Sequence, residues 1–365
     1  MATHDTNIKN SETDDRVLSV RGLSVEYVTE HGVLRAVDDV TFDVQRGGSL
    51  GIVGESGCGK TTLIKAVLRL LQKNGRIAGG TIQFGSRDLV SLSAEHMRRV
   101  RHAEIALVSQ SAMNSLNPVY TVGRQIIEGI RAHRAISSTD ARRRAIEVFN
   151  MVGLEEKRLD AFPHQMSGGM KQRAIIAMAL SLEPALIIAD EPTTALDVVV
   201  QGRILRRIQE IHRQISSSMI FITHDISVVA EVCDTIMVMY GGRVMEIAPT
   251  DTFFRAPYHP YSLGLQNAFP DIVDKDTELV SIPGNPPDLM EEQHGCRFQE
   301  RCPFVTDACR TQTPPLVKVA ENHTVACLRT EHVAEFRAAA ADGATWERVR
   351  ERLVLADAAN VGGRA

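Results

Sequence analysis

The sequence predicts an α/β fold on a largely parallel sheet, with an N-terminal antiparallel β subdomain, an inserted α-helical subdomain and a small C-terminal Cys-rich extension. Three observations carry this reading. Short, nearly continuous apolar runs at residues 50–53, 104–108, 186–189, 219–222 and 236–240 alternate with helical patterns, as buried parallel strands do. Residues 17–44 instead alternate apolar and polar positions, with Val40, Phe42 and Val44 separated by Thr41 and Asp43, the period-2 signal of strands with one buried face. Beyond Pro249 repeated prolines, among them Pro257, Pro260, Pro283, Pro286 and Pro303, break any long element and leave a loop-rich appendage.

Each element follows in order. Gly47-Gly48 ends the alternating region, and the apolar run 50–53 leads through a Gly-rich turn into a helical pattern at 60–71. Between 111 and 166 the pattern is helical and surface-like. Ala145, Val148, Phe149 and Val152 fall at i, i+3, i+4 and i+7 behind the cap-like Ser138-Thr139. A helical run at 171–180 feeds the apolar strand 186–189, and Gly241-Gly242 joins 236–240 to 243–247 as a tight hairpin. Domain boundaries follow: a disordered tail at 1–15, a core domain at 16–250 interrupted by the helical subdomain at 111–166, the extension at 251–330, and a C-terminal tail at 331–365 with a helix near 346–355.

Composition narrows the function. The chain has 365 residues, 44% of them hydrophobic and 24% charged, which suits a globular protein of about two domains. A formal net charge of -4 gives no strongly basic surface, so nucleic acid is not the expected partner. No apolar stretch approaches the ~20 residues that span a bilayer, and the polar start lacks the apolar core of a secretory signal. A cytosolic site is expected.

Gly54-Glu55-Ser56-Gly57-Cys58-Gly59-Lys60-Thr61 fits G-x-x-x-x-G-K-[ST] between a strand and a helix, where that pattern cradles phosphate. The glycines turn backbone N–H groups inward, the helix N-terminus adds partial positive charge, Lys60 neutralises β/γ oxygens, and Thr61 offers its hydroxyl to Mg²⁺. Asp190 and Glu191 emerge at the C-terminal end of the strand 186–189. There Asp190 suits Mg²⁺ and Glu191 the general base that polarises water.

Ser167-Gly168-Gly169-Met170-Lys171-Gln172 then closely resembles the signature motif of the ATP-binding subunits of ABC transporters. The resemblance implies a P-loop NTPase core of the ABC ATPase type and head-to-tail dimerisation, with Ser167, Gly168 and Gly169 clasping the nucleotide held by the opposite subunit. It also implies Gln110 as the Q-loop glutamine on Mg²⁺ and the attacking water, Asp197 in the D-loop Ala195-Leu196-Asp197, His224 as the switch histidine, Thr62 beside Thr61 in the phosphate site, and Tyr27 stacked on adenine. Two positions depart from the family pattern. Met166 and Met170 flank the signature where Leu and Gln are usual, and Cys58 replaces a serine. A thiol at a helix N-terminus is expected to ionise easily, hence to react with maleimides and be protected by ATP.

The match continues through Ser115-Leu116-Asn117-Pro118, His259-Pro260-Tyr261-Ser262 and Ile282-Pro283-Gly284-Asn285-Pro286-Pro287, which resemble the oligopeptide/dipeptide branch. That branch implies ATP-driven import of di- or oligopeptides through transmembrane permease subunits, supplied by an extracytoplasmic solute-binding protein. The second ATPase subunit would be a paralogue or an identical chain, and the site of action the cytoplasmic face of the cell membrane. Nickel, glutathione or an oligosaccharide is the alternative solute. A ribosome- or DNA-directed ABC ATPase is disfavoured by the single core without sustained heptads, and a redox sensor with a vestigial nucleotide site by the intact Lys60, Asp190, Glu191 and His224.

Four of the six cysteines, Cys296, Cys302, Cys309 and Cys327, crowd into the extension at intervals of five, six and seventeen residues. In a reducing compartment this points to a metal rather than disulfides. The spacing lacks the close C-x₂₋₄-C pair usual for zinc, and Pro303 after Cys302 echoes cluster-binding ferredoxins. A [4Fe–4S] cluster is the expectation, with zinc or free thiols as alternatives; Cys233 reads as a packing residue.

Overall fold

A computed structural model of the chain describes residues 15–109, 115–192, 198–268, 281–291 and 293–362. Among these residues the strands are β1 (Arg16–Thr29), β2 (Gly32–Gln45), β3 (Ser49–Val53), β4 (Gly75–Phe84), β5 (Arg87–Asp88), β6 (Ile105–Val108), β7 (Leu186–Asp190), β8 (Ser218–Ile222), β9 (Thr235–Tyr240), β10 (Arg243–Pro249), β11 (Val317–Ala320) and β12 (His323–Val325). A four-stranded antiparallel sheet runs β2-β1-β4-β5. The larger sheet runs β11-β12-β10-β9-β3-β8-β7-β6, parallel from β9 to β6 and antiparallel beyond β9.

The continuous apolar runs form strands because both faces of the larger sheet are covered. Every residue of β3, β7 and β8 is buried. Alternate side chains serve two separate cores: Leu186, Ile188, Ile220 and Ile222 pack under the antiparallel sheet, while Ile187, Ala189, Met219 and Phe221 face the helical side. On that side the helix Ser138–Met151 buries Ala145, Val148 and Phe149, with Val152 beside them, as its spacing predicts. Its cap is Ser137, one residue before the expected pair, and the Ser137 hydroxyl accepts the Asp140 N–H at 3.0 Å.

Gly241 and Gly242 make the expected hairpin, both at positive φ, with Arg243 paired to Tyr240. The extension is more than an appendage. β12 pairs with β10 through Glu246↔Val325 and Ile247↔Thr324, so residues beyond 315 lengthen the main sheet. The segment read as a C-terminal tail carries the helices Val333–Ala340 and Gly343–Gly362, and Phe336, Ala340, Trp346 and Val349 are buried. The tail expected at 1–15 lies outside the described residues except for Asp15. Among the described residues no helix is long and apolar enough to cross a membrane.

Candidate active site

β3 is flanked by β9 and β8, and its C-terminal end opens into the loop 54–59 before the helix Lys60–Val67. Two glycines have no substitute here. Gly54 has φ +151° and a Cβ would lie 2.1 Å from the Met239 carbonyl oxygen; Gly59 has φ +103° and a Cβ would lie 2.4 Å from that of Ala36. The loop is packed tightly against β9 and β2 at these two positions, which only glycine allows. Lys60 is buried, and its Nζ donates to the carbonyls of Gly54 at 2.6 Å and Glu55 at 2.9 Å.

Two further strand ends converge beside the loop, because β8 and β7 follow β3 in the sheet. The Thr61 hydroxyl donates to Asp190 Oδ1 at 3.4 Å. Burial raises the Asp190 carboxyl above the usual range, and the Thr61 hydrogen bond works against that. A buried carboxylate with a hydroxyl beside it is an oxygen donor pair that a hard divalent cation would relieve, so the residues fit Mg²⁺. Glu191 has a left-handed backbone, φ +48°, and its N–H donates to the Ile222 carbonyl on β8 at 2.9 Å. That turn faces its carboxylate to His224, with Oε1 3.3 Å from Nδ1. Glu191 is mostly shielded and His224 largely exposed.

The signature segment stands on another element. Ser167 caps the helix Gly168–Leu180 by accepting the Met170 N–H at 3.4 Å, and Ser167 and Gly168 are exposed. A Cβ on Gly169 would lie 2.9 Å from Val200 Cγ1, so the helix Val198–Gln214 sets that residue's size. Tyr27 is half-buried on β1 with its ring over Gly75 of β4. Gln110 and Asp197, with Ala195 and Leu196, lie outside the described residues.

Cys58 corrects the sequence expectation. It is 2% exposed, and burial raises its thiol above the ordinary range despite Lys60 Nζ at 3.6 Å. Desolvation outweighs the neighbouring cation. The residue sits as a small packing group, and its burial opposes the reactivity expected of it.

Cys296, Cys302, Cys309 and Cys327 line one small cavity with Phe298 and Phe336. Burial pushes Cys296 up to about 12 and raises Cys302 and Cys327. None of the four is in a disulfide, and among the described residues no group of three His, Cys, Asp or Glu side chains stands so that it could hold a metal ion. The cavity therefore has the donor chemistry of a four-thiolate centre but not its assembled ligand set. Cys233 is buried, as expected of a packing residue.

Sequence reasoning did not foresee Arg301. It lies between the cysteines at 296 and 302, is 3% exposed, and its Nη1 donates to Glu55 Oε2 of the phosphate loop at 2.7 Å. An arginine directly before Cys302 is all that the sequence shows, and it has no meaning until the fold buries it and brings Glu55 to it.

The chain is similar to known proteins over most of its length. The ABC transporter family model matches residues 37–194, and that of the oligopeptide/dipeptide transporter C-terminal region matches 245–309. A probable peptide ABC transporter ATP-binding protein of Sinorhizobium fredii is 46% identical, over 87% of this chain and 96% of the relative. The oligopeptide transport ATP-binding protein OppD of Salmonella typhimurium is 40% identical over 90% and 98%, and the dipeptide transport ATP-binding protein DppD of Escherichia coli 41% over 85% and 96%. Among solved structures, a dimeric ATP-binding cassette in a post-hydrolysis state bound to ADP and Pi superposes with TM-score 0.58 at 26% identity, covering 64% of this chain and 98% of that one. A Gly-rich loop and one strand end with two acidic residues that fit ATP and Mg²⁺, an exposed signature segment and near full-length likeness to these relatives lead to one assignment: the chain belongs to the ATP-hydrolysing, ATP-binding subunits of ABC transporters, in the branch that carries the oligopeptide/dipeptide transporter C-terminal region.

Proposed function

We propose that this chain powers an importer of di- or oligopeptides, with Glu191 as the general base of ATP hydrolysis. The observation that carries the catalytic part is the convergence of Lys60, the Thr61–Asp190 pair and the Glu191–His224 pair at the ends of β3, β7 and β8. Residues 54–62 hold the phosphates, with Lys60 leaving the Gly54 and Glu55 carbonyls for the β/γ oxygens. Thr61, Asp190 and Gln110 would hold Mg²⁺, which neutralises the charge of the transferred phosphoryl group. Glu191 accepts a proton from the attacking water, and His224, already in contact with it, fixes the carboxylate's orientation. Tyr27 stacks on the adenine. Ser167, Gly168, Gly169 and Asp197 act across the interface with a second ATPase subunit, so ATP closes the dimer and hydrolysis reopens it.

The peptide assignment rests on the similarity to peptide-transport relatives and on the C-terminal region. The same inference gives transmembrane permease subunits as direct partners, a solute-binding protein as an indirect one, and the cytoplasmic face of the cell membrane as the place of work. The four cysteines are read as ligands of a metal centre that keeps the extension folded, a [4Fe–4S] cluster in preference to zinc. Their shared cavity supports that reading. Iron and acid-labile sulfide in anaerobically purified protein would uphold it; zinc or no metal would overturn the cluster.

The mechanism is tested with Glu191→Gln. The variant binds MgATP with near wild-type affinity, loses turnover by about 10²–10⁴-fold, and accumulates as a nucleotide-bound dimer in size-exclusion chromatography. Hydrolysis at the wild-type rate would remove Glu191 from the mechanism.

A further inference from the structure

The extension reaches the phosphate loop through one side chain. Arg301 stands directly before Cys302, and its guanidinium is anchored on its own side by the carbonyls of Pro283 (Nε, 2.8 Å) and Ile282 (Nη2, 3.2 Å). Its free edge crosses to the core, where Nη1 donates to Glu55 Oε2 at 2.7 Å and to the Tyr240 hydroxyl at 3.2 Å. Glu55 is held a second time, since its N–H donates to the hydroxyl of Tyr261, from the extension, at 3.0 Å. Tyr240, Tyr261 and Phe298 close around this contact with ring centroids 4.7–5.2 Å apart, and all three are buried. The Glu55 carbonyl is also one of the two acceptors that Lys60 must leave when it turns to phosphate. Glu55 is thus fixed at N–H, side chain and carbonyl, two of the three by residues outside the ATPase core.

We propose that Arg301 is a positioning residue for ATP binding: by holding the Glu55 carboxylate from the extension it sets the backbone of the phosphate loop. The ion pair joins a buried guanidinium to a partly exposed carboxylate across two chain segments, and it is an orienting device because removing Glu55 leaves the buried Arg301 charge without its carboxylate. The neighbouring Arg297 supplies an internal comparison. It ties the extension to the core through Asp38 at 2.7 Å rather than through Glu55, and Asp38 keeps a second partner in Arg243. Loss of Arg297 loosens the extension without touching Glu55.

The test measures equilibrium binding of magnesium adenylyl imidodiphosphate to the full chain, with thermal melts in parallel. Arg301→Gln and Glu55→Gln each weaken binding roughly tenfold, the loss of one charge-assisted hydrogen bond. The double variant is no weaker than the worse single, and Arg301→Lys recovers part of the loss. Arg297→Gln lowers the melting temperature but leaves the affinity unchanged. Wild-type affinity in Arg301→Gln, multiplicative losses in the double variant, or an affinity loss in Arg297→Gln that tracks its melting temperature would each overturn the proposal. If Arg301→Gln does not fold, Glu55→Gln alone decides, with retained affinity counting against. The inference rests on the phosphate-loop reading, and Lys60→Ala separates the two: nucleotide binding that survives Lys60→Ala defeats that reading first.

Discussion

At the scale of single residues, burial decides chemistry that sequence position leaves open. Cys58 and Lys60 are two positions apart and both sit at a helix N-terminus, a setting that favours a thiolate and phosphate alike. The folded loop turns the thiol inward, where a Cβ on Gly54 would lie only 2.8 Å from its Sγ, and solvent is excluded. Native protein treated with a maleimide and mapped by mass spectrometry should carry no label on Cys58, with or without MgATP. Rapid ATP-sensitive labelling would restore the reactive-thiol reading. Lys60 and Thr61 were legible in the sequence through the fixed spacing of their Gly-rich motif, and Asp190, Glu191 and His224 because each closely follows a short apolar run. The contact of Glu55 with Arg301 spans 246 positions, and no local pattern encodes it.

At the scale of elements, legibility followed burial on both faces. β3, β7 and β8 each carry a continuous apolar run because both sides are covered, and the helix Ser138–Met151 announces itself by one buried stripe. β4 escaped because Gly75, Gly79 and Gly80 remove the alternating signal from its first half, where exposed residues predominate. β11 and β12 escaped because they are four and three residues long and follow Pro314 and Pro315. The stripe of the insertion helix makes a quantitative prediction. Phe149 is fully buried, so Phe149→Ala should destabilise the protein by about 3–5 kcal/mol through lost burial and a residual cavity. A chemical melt reads this directly. A loss below ~1 kcal/mol would mean that the helix does not hold its core contact in solution.

At the scale of the whole molecule, the ATPase core and the extension behave as one body rather than two. The hydrophobic cluster on the helical face of the main sheet continues from Val53 and Phe221 through Tyr240 and Tyr261 to Phe298, Phe336 and Trp346. β12 extends that sheet, and beneath the junction Glu246 accepts N–H bonds from Tyr258 and His259 and meets His323 at 2.7 Å, with Glu246 and His323 fully buried. A ligand that binds only the folded state stabilises every part that unfolds with its site, by about 2.7 kcal/mol at a hundredfold excess over Kd. Saturating MgATP on the Glu191→Gln protein, where turnover cannot deplete it, should therefore shift a single calorimetric transition upward as a whole. Fluorescence of Trp346, the only tryptophan and far along the chain from the phosphate loop, should report the same midpoint and shift. Two transitions, with the tryptophan signal indifferent to nucleotide, would mean that the extension melts independently and that its contacts with the core do not join the two energetically.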